Sequence, residues 1–237
     1  MTQNFDIKIY ADGASVEGMK DVLNKWPISG FTTNPSLMKK AGVTDYLQFA
    51  KDALHAVGDL PISFEVFSDD FESMEKEADK ITALGKNVFV KIPITNTKGA
   101  SSVPLIEKLS KKGIQVNITA IFTLDQVQNV LKALQPGTNN IISVFAGRLA
   151  DTGTDPVPMM KEAVSLVKQY PQANLLWASC RELLNIFQAQ SIGVDIITVT
   201  NAVLGKLSFL GKKPEDFSLQ TVQEFSRDGK ALGFSII

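Results

Sequence analysis

Eight short apolar stretches that alternate with helical patterns predict a single (β/α)8 TIM barrel with an extra C-terminal helix. The stretches are rich in β-branched and aromatic residues, and apolar residues recur at helical spacing after each of them. The length of 237 residues also suits such a barrel. A doubly wound open sheet is the competing architecture, but it usually has fewer strands, and no G-x-G-x-x-G fingerprint follows the first strand.

The predicted strands are apolar runs bounded by glycine, proline or polar residues. They span residues 5–12, 28–36, 62–67, 87–95, 115–122, 140–147, 174–179 and 195–200. Their continuous apolar character is typical of parallel strands that are buried on both faces.

The predicted helices fill the intervals between these strands. They span residues 16–25, 44–57, 70–84, 101–112, 123–134, 157–170 and 181–191, with a short helix after the eighth strand. Ser15 and Thr44 are predicted to cap the first two. No linker interrupts the alternation of strands and helices, so one barrel domain is predicted over 1–237. Within it, residues 207–237 are predicted to form a C-terminal extension that packs on the barrel rim or a neighbouring subunit.

Composition excludes several classes of protein. The chain has 24 basic and 25 acidic residues, so a broad nucleic-acid-binding surface is not expected. The single cysteine, Cys180, excludes an intrachain disulfide and a cysteine-based zinc site. The N-terminus has no signal-peptide pattern, and no apolar run is long enough to span a membrane. A cytoplasmic protein is therefore expected.

Lys91 is the anomaly of the predicted strands, because it lies inside the apolar run NVFVKIPIT. Alternation places Lys91 on the same face as Phe89 and Pro93. Desolvation favours the neutral form of a lysine, and a neutral amine can attack a carbonyl to form a Schiff base. The alternative is a lysine that extends from the strand end to solvent.

Other polar residues are predicted at the carboxyl ends of the strands, where barrels of this type carry their active sites. They are Asp12, Asn34, Glu65, Asn117, Thr119, Ser143, Arg148, Ser179 and Arg181. A single polar residue at a strand end usually makes a cap or a loop hydrogen bond. Buried carboxylates that converge with a lysine and two arginines need a further explanation, because each unpaired buried charge would cost several kcal/mol.

Six ordered blocks resemble the transaldolase family, in particular its small single-barrel members. The blocks are TTNPS at 32–36, FEV at 64–66, VKIPIT at 90–95, NIT at 117–119, SVFAGRLAD at 143–151 and ASCR at 178–181. The resemblance implies transfer of a dihydroxyacetone unit from fructose 6-phosphate or sedoheptulose 7-phosphate to an aldose phosphate, as in the pentose phosphate pathway. It implies no metal or organic cofactor, and a homo-oligomer, pentamer or decamer, that the C-terminal helix helps to build.

The same resemblance implies residue roles. Lys91 matches the Schiff-base lysine, Asp12 the acid/base carboxylate, and Glu65 with Thr119 the pair that holds a catalytic water. The substrate-binding positions match Asn34, Asn117, Ser143, Phe145, Arg148, Ser179 and Arg181, of which Arg148, Ser179 and Arg181 form the phosphate grip.

Three alternatives stay open at this point. A fructose-6-phosphate aldolase shares the scaffold, but Glu65, Phe145 and Arg181 favour the transferase. Cys180 and Trp177 depart from the family pattern beside the anion site, so a sulfosugar is an alternative substrate. A catalytically dead barrel that senses a sugar phosphate is the alternative outside enzymes. The single histidine, His55, is predicted to lie on a helix away from the strand ends.

Overall fold

A computed structural model describes residues 5–234 and 236. The chain divides into two compact units, Met1–Leu204 and Gly205–Ile237.

The first unit contains eight parallel strands in a closed barrel whose order follows the chain. The strands are β1 (Lys8–Asp12), β2 (Gly30–Thr32), β3 (Ile62–Glu65), β4 (Val88–Pro93), β5 (Val116–Ile121), β6 (Asn140–Val144), β7 (Ala173–Trp177) and β8 (Ile196–Thr200). β1 closes the barrel by pairing with β8, with Asp12 opposite Thr200. The predicted barrel is confirmed. Each strand lies within its predicted range, except that β7 begins one residue earlier.

Helices follow the strands around the barrel. They are α1 (Val16–Lys25), α2 (Pro35–Lys40), α3 (Tyr46–Val57), α4 (Phe71–Thr82), α5 (Val103–Lys111), α6 (Leu124–Ala133), α7 (Ala146–Ala150), α8 (Pro156–Val167), α9 (Leu184–Ser191) and α10 (Asn201–Leu204). The sequence prediction missed α2 and α7, because helices of six and five residues are too short to display a periodic apolar pattern.

Capping side chains mark where most of the longer helices begin. Ser15 caps α1 as predicted, accepting a hydrogen bond from the amide of Gly18. The predicted cap of α3 was wrong: Asp45 rather than Thr44 accepts the amide hydrogen bond from Gln48, at 3.0 Å. An ionised carboxylate is a stronger acceptor for this amide than a threonine hydroxyl, so the helix begins at Tyr46.

The barrel interior is layered. Inward side chains of β1, β4, β6, β7 and β8 form one buried apolar cluster, made of Tyr10, Phe89, Ile141, Leu176, Ala178 and Ile196. Because side chains two residues apart share a face, the next inward positions carry Asp12, Lys91 and Ser143. The apolar layer thus supports a polar layer at the carboxyl ends of the strands.

The second unit contains a 3-10 helix, Gly205–Phe209, and α11, Pro214–Ala231. The Lys212 ammonium lies 5.8 Å from the Phe209 ring and 5.0 Å from the Phe217 ring. The two rings pack edge to face at 5.3 Å. α11 is the extra C-terminal helix that the sequence predicts. Among the residues described in both units, no helix is long and apolar enough to cross a membrane.

Gly30 is required by the packing of the apolar layer. A Cβ atom built on Gly30 would lie 2.5 Å from Cζ of the buried Tyr10 ring. We expect Gly30→Ala to lower the free energy of unfolding by about 1–3 kcal/mol, the usual cost of overpacking. Urea denaturation measures this change. Gly13→Ala is the control, because its Cβ would meet no atom within 4 Å. Equal unfolding midpoints for the two variants would contradict the prediction.

Candidate active site

A cavity of about 510 Å³ opens at the carboxyl ends of the strands. Its volume is in the range of small-molecule sites. All the predicted site residues except Asn117 line it: Asp12, Asn34, Glu65, Lys91, Thr119, Ser143, Phe145, Arg148, Ser179 and Arg181. Sequence reasoning missed several other lining residues, among them Thr32, Phe122, Thr198 and Thr200.

Lys91 is held at the floor of this cavity. Its Nζ lies 3.1 Å from Glu65 Oε2 and donates a hydrogen bond to the Thr33 carbonyl oxygen at 3.0 Å. The pairing of β3 with β4 places Glu65 directly opposite Lys91. Only 7% of the Lys91 side chain is exposed, so the alternative in which this lysine extends to solvent is wrong.

Asp12 faces Lys91 from the end of β1. Burial raises the pKa of the Asp12 carboxyl, and this effect outweighs the Lys91 ammonium and the Thr32 hydrogen bond, which both lower it. Thr32 Oγ1 donates that hydrogen bond to Asp12 Oδ1 at 2.7 Å. A carboxylate whose pKa is raised is a better proton acceptor than an ordinary aspartate.

Thr119 lies where the β5 ladder is interrupted. The register between β5 and β6 shifts between Ile118 and Ile121, and Ala120 has a left-handed φ of 58°. Bulges of this kind re-aim side chains near sites. Within the described residues, the buried Thr119 Oγ1 has no hydrogen-bond partner. A buried hydroxyl in a cavity wall without a protein partner is a natural place for a water or a substrate atom to bind.

Asn117 is the register partner of Lys91 on β5, but it is fully buried and does not line the cavity. Its Oδ1 accepts a hydrogen bond from Ser143 Oγ at 2.6 Å, and its Nδ2 donates to Ser63 Oγ at 2.9 Å. These bonds fix the Ser143 side chain, which lines the cavity. Direct contact between Asn117 and a substrate stays a prediction.

The opposite side of the cavity carries the two arginines. A Cβ atom on Gly147 would lie 1.6 Å from the Ser179 carbonyl oxygen, so only glycine allows α7 to pack against the loop after β7. This contact brings Arg148 and Ser179 together. The Arg148 guanidinium lies 5.8 Å from the centre of the Phe145 ring, which itself packs on Phe122.

Arg181 is paired with Asp151. Its Nε donates to Asp151 Oδ1 at 3.1 Å, and a second guanidinium nitrogen donates to Asp151 Oδ2. The Arg181 guanidinium lowers the pKa of the Asp151 carboxyl. The backbone is also fixed, because Asn185 Oδ1 accepts from the amides of Arg181 and Glu182 at 3.0 and 3.1 Å. Neither Asp151 nor Asn185 was identified as a site residue from the sequence.

The two departures from the family pattern have different positions. Cys180 is buried in the cavity wall beside Ser179 and Arg181. Trp177 is also buried, but it alternates with the inward Leu176 and therefore faces the helices. Only Cys180 can alter the shape of the cavity by direct contact. His55 is exposed on α3, away from this cavity, as predicted.

No group of three or more His, Cys, Asp or Glu side chains in the described part of the chain is arranged to hold a metal ion. The positively charged side chains of the cavity are instead Lys91 at its floor and Arg148 and Arg181 on one wall. The arrangement can therefore bind an anionic group at one end and present an amine to the other end of the same molecule.

Comparisons with known proteins identify a family and similar proteins. The family described as Transaldolase/Fructose-6-phosphate aldolase matches residues 9–236. A probable transaldolase of Thermoanaerobacter sp. (strain X514) is 34% identical over 97% of this chain and 100% of its own length. One from Methanococcus maripaludis (strain C7) is 37% identical over 85% of this chain and 89% of its own.

Similar solved structures support the fold alone, because their sequence identities are low. The 3-hexulose-6-phosphate synthase from Salmonella typhimurium superposes with a TM-score of 0.57 at 14% identity, over 84% of this chain and 90% of that chain. A putative fructose-1,6-biphosphate aldolase from Coccidioides immitis superposes with the same TM-score and sequence identity, over 89% of this chain and 81% of that chain.

The raised pKa of Asp12 predicts a pH-dependent cost to stability. A carboxyl whose pKa is higher in the folded than in the unfolded protein stabilises the fold below the unfolded pKa, and this contribution is lost as pH rises through the folded pKa. We therefore expect Asp12→Asn to raise the free energy of unfolding at pH 7.5 by about 1 kcal/mol. This gain in the free energy of unfolding should vanish as the pH falls below the pKa of an ordinary aspartate.

Urea denaturation at a series of pH values tests this expectation. Asp59→Asn, at an exposed position, is the control and should show no such trend. A variant Asp12→Asn that is less stable than the natural protein at pH 7.5 would contradict the prediction.

Proposed function

The chain belongs to the transaldolase/fructose-6-phosphate aldolase family, and from this premise we propose that it is a transaldolase that works through a Schiff base on Lys91. The donor is a ketose phosphate, fructose 6-phosphate or sedoheptulose 7-phosphate, and the acceptor is an aldose phosphate. The observation that carries the proposal is the buried Lys91 ammonium between two carboxylates, Glu65 and Asp12, in a cavity whose wall holds two arginines.

Schiff-base formation begins with a proton transfer. The Lys91 ammonium must lose a proton before its nitrogen can attack the C2 carbonyl of the ketose. Glu65 Oε2, at 3.1 Å, is within reach of that proton directly or through one water. As the nitrogen attacks, a second proton passes from it to the carbonyl oxygen and gives a carbinolamine. Glu65 then returns the first proton to the carbinolamine hydroxyl, which leaves as water, and a protonated imine remains. Thr119, whose buried Oγ1 lacks a partner among the described residues, is placed to hold the water that carries these protons.

Carbon–carbon cleavage uses Asp12. The carboxylate takes the proton of the C4 hydroxyl, the C3–C4 bond breaks, and its electron pair moves into the protonated imine to form an enamine. The aldose phosphate leaves, and the three-carbon unit stays on Lys91 until an acceptor aldehyde arrives. Attack of the enamine on that aldehyde reverses the steps, and hydrolysis of the imine releases the new ketose.

Asn34 is proposed to bind the substrate as a donor. Its side-chain oxygen caps α2 by accepting from the Leu37 amide at 2.9 Å. The side-chain nitrogen Nδ2 of Asn34 therefore keeps its two hydrogens for donation to a substrate in the cavity. Ser143 also lines the cavity and donates its hydroxyl hydrogen to Asn117, so its oxygen is proposed to accept a hydrogen bond from a substrate hydroxyl.

The phosphate is proposed to lie against Arg148, Ser179 and Arg181. A guanidinium fork matches two phosphate oxygens, and hydroxyl and amide donors complete the site. The left-handed φ of 62° at Ser179 is strained for a residue with a side chain, and strain of this kind is concentrated at ligand-binding positions.

Two alternatives differ from this proposal, one in the reaction and one in the substrate. A fructose-6-phosphate aldolase is the alternative within the family, and Glu65, Phe145 and Arg181 favour the transferase over it. A ketose with a sulfonate tail is the alternative substrate. Arg148 and Arg181 carry one positive charge each, and Asp151, which is paired with Arg181, carries one negative charge, so the net charge of this wall is close to one positive charge. A sulfonate carries one negative charge, whereas a phosphate monoester carries nearly two at neutral pH.

A cytoplasmic homo-oligomer is also proposed. The support is that α11 has no buried residue and exposes apolar side chains, including Phe217, Val222 and Phe225. Burial of such side chains against a second copy would be favourable.

The function is tested by release of glyceraldehyde 3-phosphate from fructose 6-phosphate with and without erythrose 4-phosphate. The enamine stays bound to Lys91 until an aldehyde reacts with it, so each further turnover needs an acceptor. We therefore expect release of glyceraldehyde 3-phosphate to depend on erythrose 4-phosphate. Equal release in both tubes would indicate a lyase. No release in either, followed by release from 6-deoxy-6-sulfofructose, would indicate the sulfonate alternative.

Lys91→Ala tests the intermediate in the same assay. We expect turnover to fall by about 10⁴-fold or more, on the scale reported for loss of a catalytic nucleophile. Borohydride should trap the donor on the natural protein and on the control Lys51→Ala, at an exposed position, but not on Lys91→Ala. A barrel that only senses a sugar phosphate would give no adduct with any of the three proteins.

Arg181→Ala tests the anion site. Loss of a charged hydrogen bond should raise the KM for the phosphorylated donor about 10- to 100-fold. The rate with unphosphorylated dihydroxyacetone as donor should change little, since it lacks the anion. Lys161→Ala, an exposed position on α8, is the control. An unchanged KM for the phosphorylated donor would remove Arg181 from the site.

A further inference from the structure

Two threonine hydroxyls on different strands meet beside the Asp12 carboxylate. Thr32 Oγ1 donates to Asp12 Oδ1 at 2.7 Å and lies 2.5 Å from Thr198 Oγ1. β1 is flanked by β2 and β8, with Asp12 in register with Thr32 and Tyr10 in register with Thr198. Resting on the proposed role of Asp12 in cleavage, we propose that Thr198 is a positioning residue that acts on Asp12 through Thr32.

Counting protons fixes the direction of this chain of hydrogen bonds. A threonine hydroxyl has one hydrogen to donate. Thr32 gives its hydrogen to the ionised Asp12, so the short contact with Thr198 requires Thr198 to be the donor. Both threonines are buried, at 2% and 5% exposure, so water does not readily take the place of either partner. Hydrogen bonds in such a series polarise one another, and the series therefore strengthens the bond at Asp12.

The hydrogen bond from Thr32 occupies Asp12 Oδ1, so Oδ2 is the oxygen that can take the substrate proton. A donor to Oδ1 favours the ionised form of Asp12 over the protonated form. Among the described residues, none makes a hydrogen bond to Asp12 Oδ2. One carboxylate oxygen is thus held while the other faces the cavity. The charged groups on this side of the cavity are Lys91, which acts directly on Asp12, and Glu65, which is paired with Lys91.

Kinetics separate positioning from direct substrate contact, which is the competing role because Thr198 also lines the cavity. Thr198→Val keeps the shape of the side chain and removes its hydroxyl, whereas Thr198→Ser keeps the hydroxyl. We expect Thr198→Val to lower kcat for donor cleavage about tenfold with KM within twofold, and Thr32→Val to lower kcat further. Thr198→Ser should remain close to the natural protein. The double variant should be no slower than Thr32→Val, because the two hydroxyls act in series.

A second measurement does not depend on turnover. ¹³C NMR titration of the aspartate carboxyl carbons, with the Asp12 signal assigned from Asp12→Asn, reports the protonation of this residue. Losing a donor to the ionised form should move the Asp12 midpoint to higher pH in Thr32→Val, and by less in Thr198→Val. Should Thr198→Val not fold, Thr198→Ala takes its place.

The outcomes distinguish this inference from the proposed function. Absence of a borohydride adduct on the natural protein would remove the Schiff-base function, while the titration would still decide whether Thr198 acts on Asp12. An Asp12 midpoint that is unchanged in Thr32→Val and Thr198→Val would overturn the inference. So would a raised KM with unchanged kcat in Thr198→Val, or a Thr198→Ser variant as slow as Thr198→Val.

Discussion

The buried pair of Lys91 and Glu65 is the interaction on which the rest of the site depends. The two side chains face each other from neighbouring strands, 3.1 Å apart, and only 7% and 16% of them is exposed. Removing one partner of such a pair leaves an uncompensated charge that costs about 3–5 kcal/mol. Asp12 adds a second carboxylate beside the single ammonium. In the proposed mechanism, this excess of negative charge favours the positive charge that remains on nitrogen in the protonated imine.

The polar layer is stable because the layer beneath it is rigid. Tyr10 and Phe89 lie two residues before Asp12 and Lys91 on the same strands, within one apolar cluster. Ser63, Asn117 and Ser143 then connect three strands by short hydrogen bonds. Groups on strands supported in this way are held in place before substrate arrives, which removes much of the reorganisation that catalysis would otherwise require. Burial raises the pKa of Asp12, so the ionised carboxylate lowers the stability of the fold. Such a conflict between stability and activity is common at active sites.

The proposed anion site is held in place differently from the strand residues. Arg148, Ser179 and Arg181 lie on loops and at a short helix rather than within strands. Their placement depends on the close contact of Gly147 with the Ser179 backbone and on the pairing of Arg181 with Asp151. About half of the Arg181 side chain is exposed. Loops tolerate change more readily than barrel strands, so we expect the proposed anion site to tolerate substitution better than the strand positions of Asp12, Glu65 and Lys91.

The sequence by itself determined the barrel, the order of its strands and about half of the residues that line the cavity. Apolar runs and alternation of side chains follow from local chain geometry, so they locate the strands. Because a parallel barrel brings the carboxyl ends of its strands together, the sequence alone places Asp12, Glu65 and Lys91 in one site. Only the tertiary structure decided the partners. That Thr198 reaches Asp12 through Thr32 and that Asp151 holds Arg181 depend on strand register and on distances between residues far apart in the chain. Local sequence patterns carry no information about those distances.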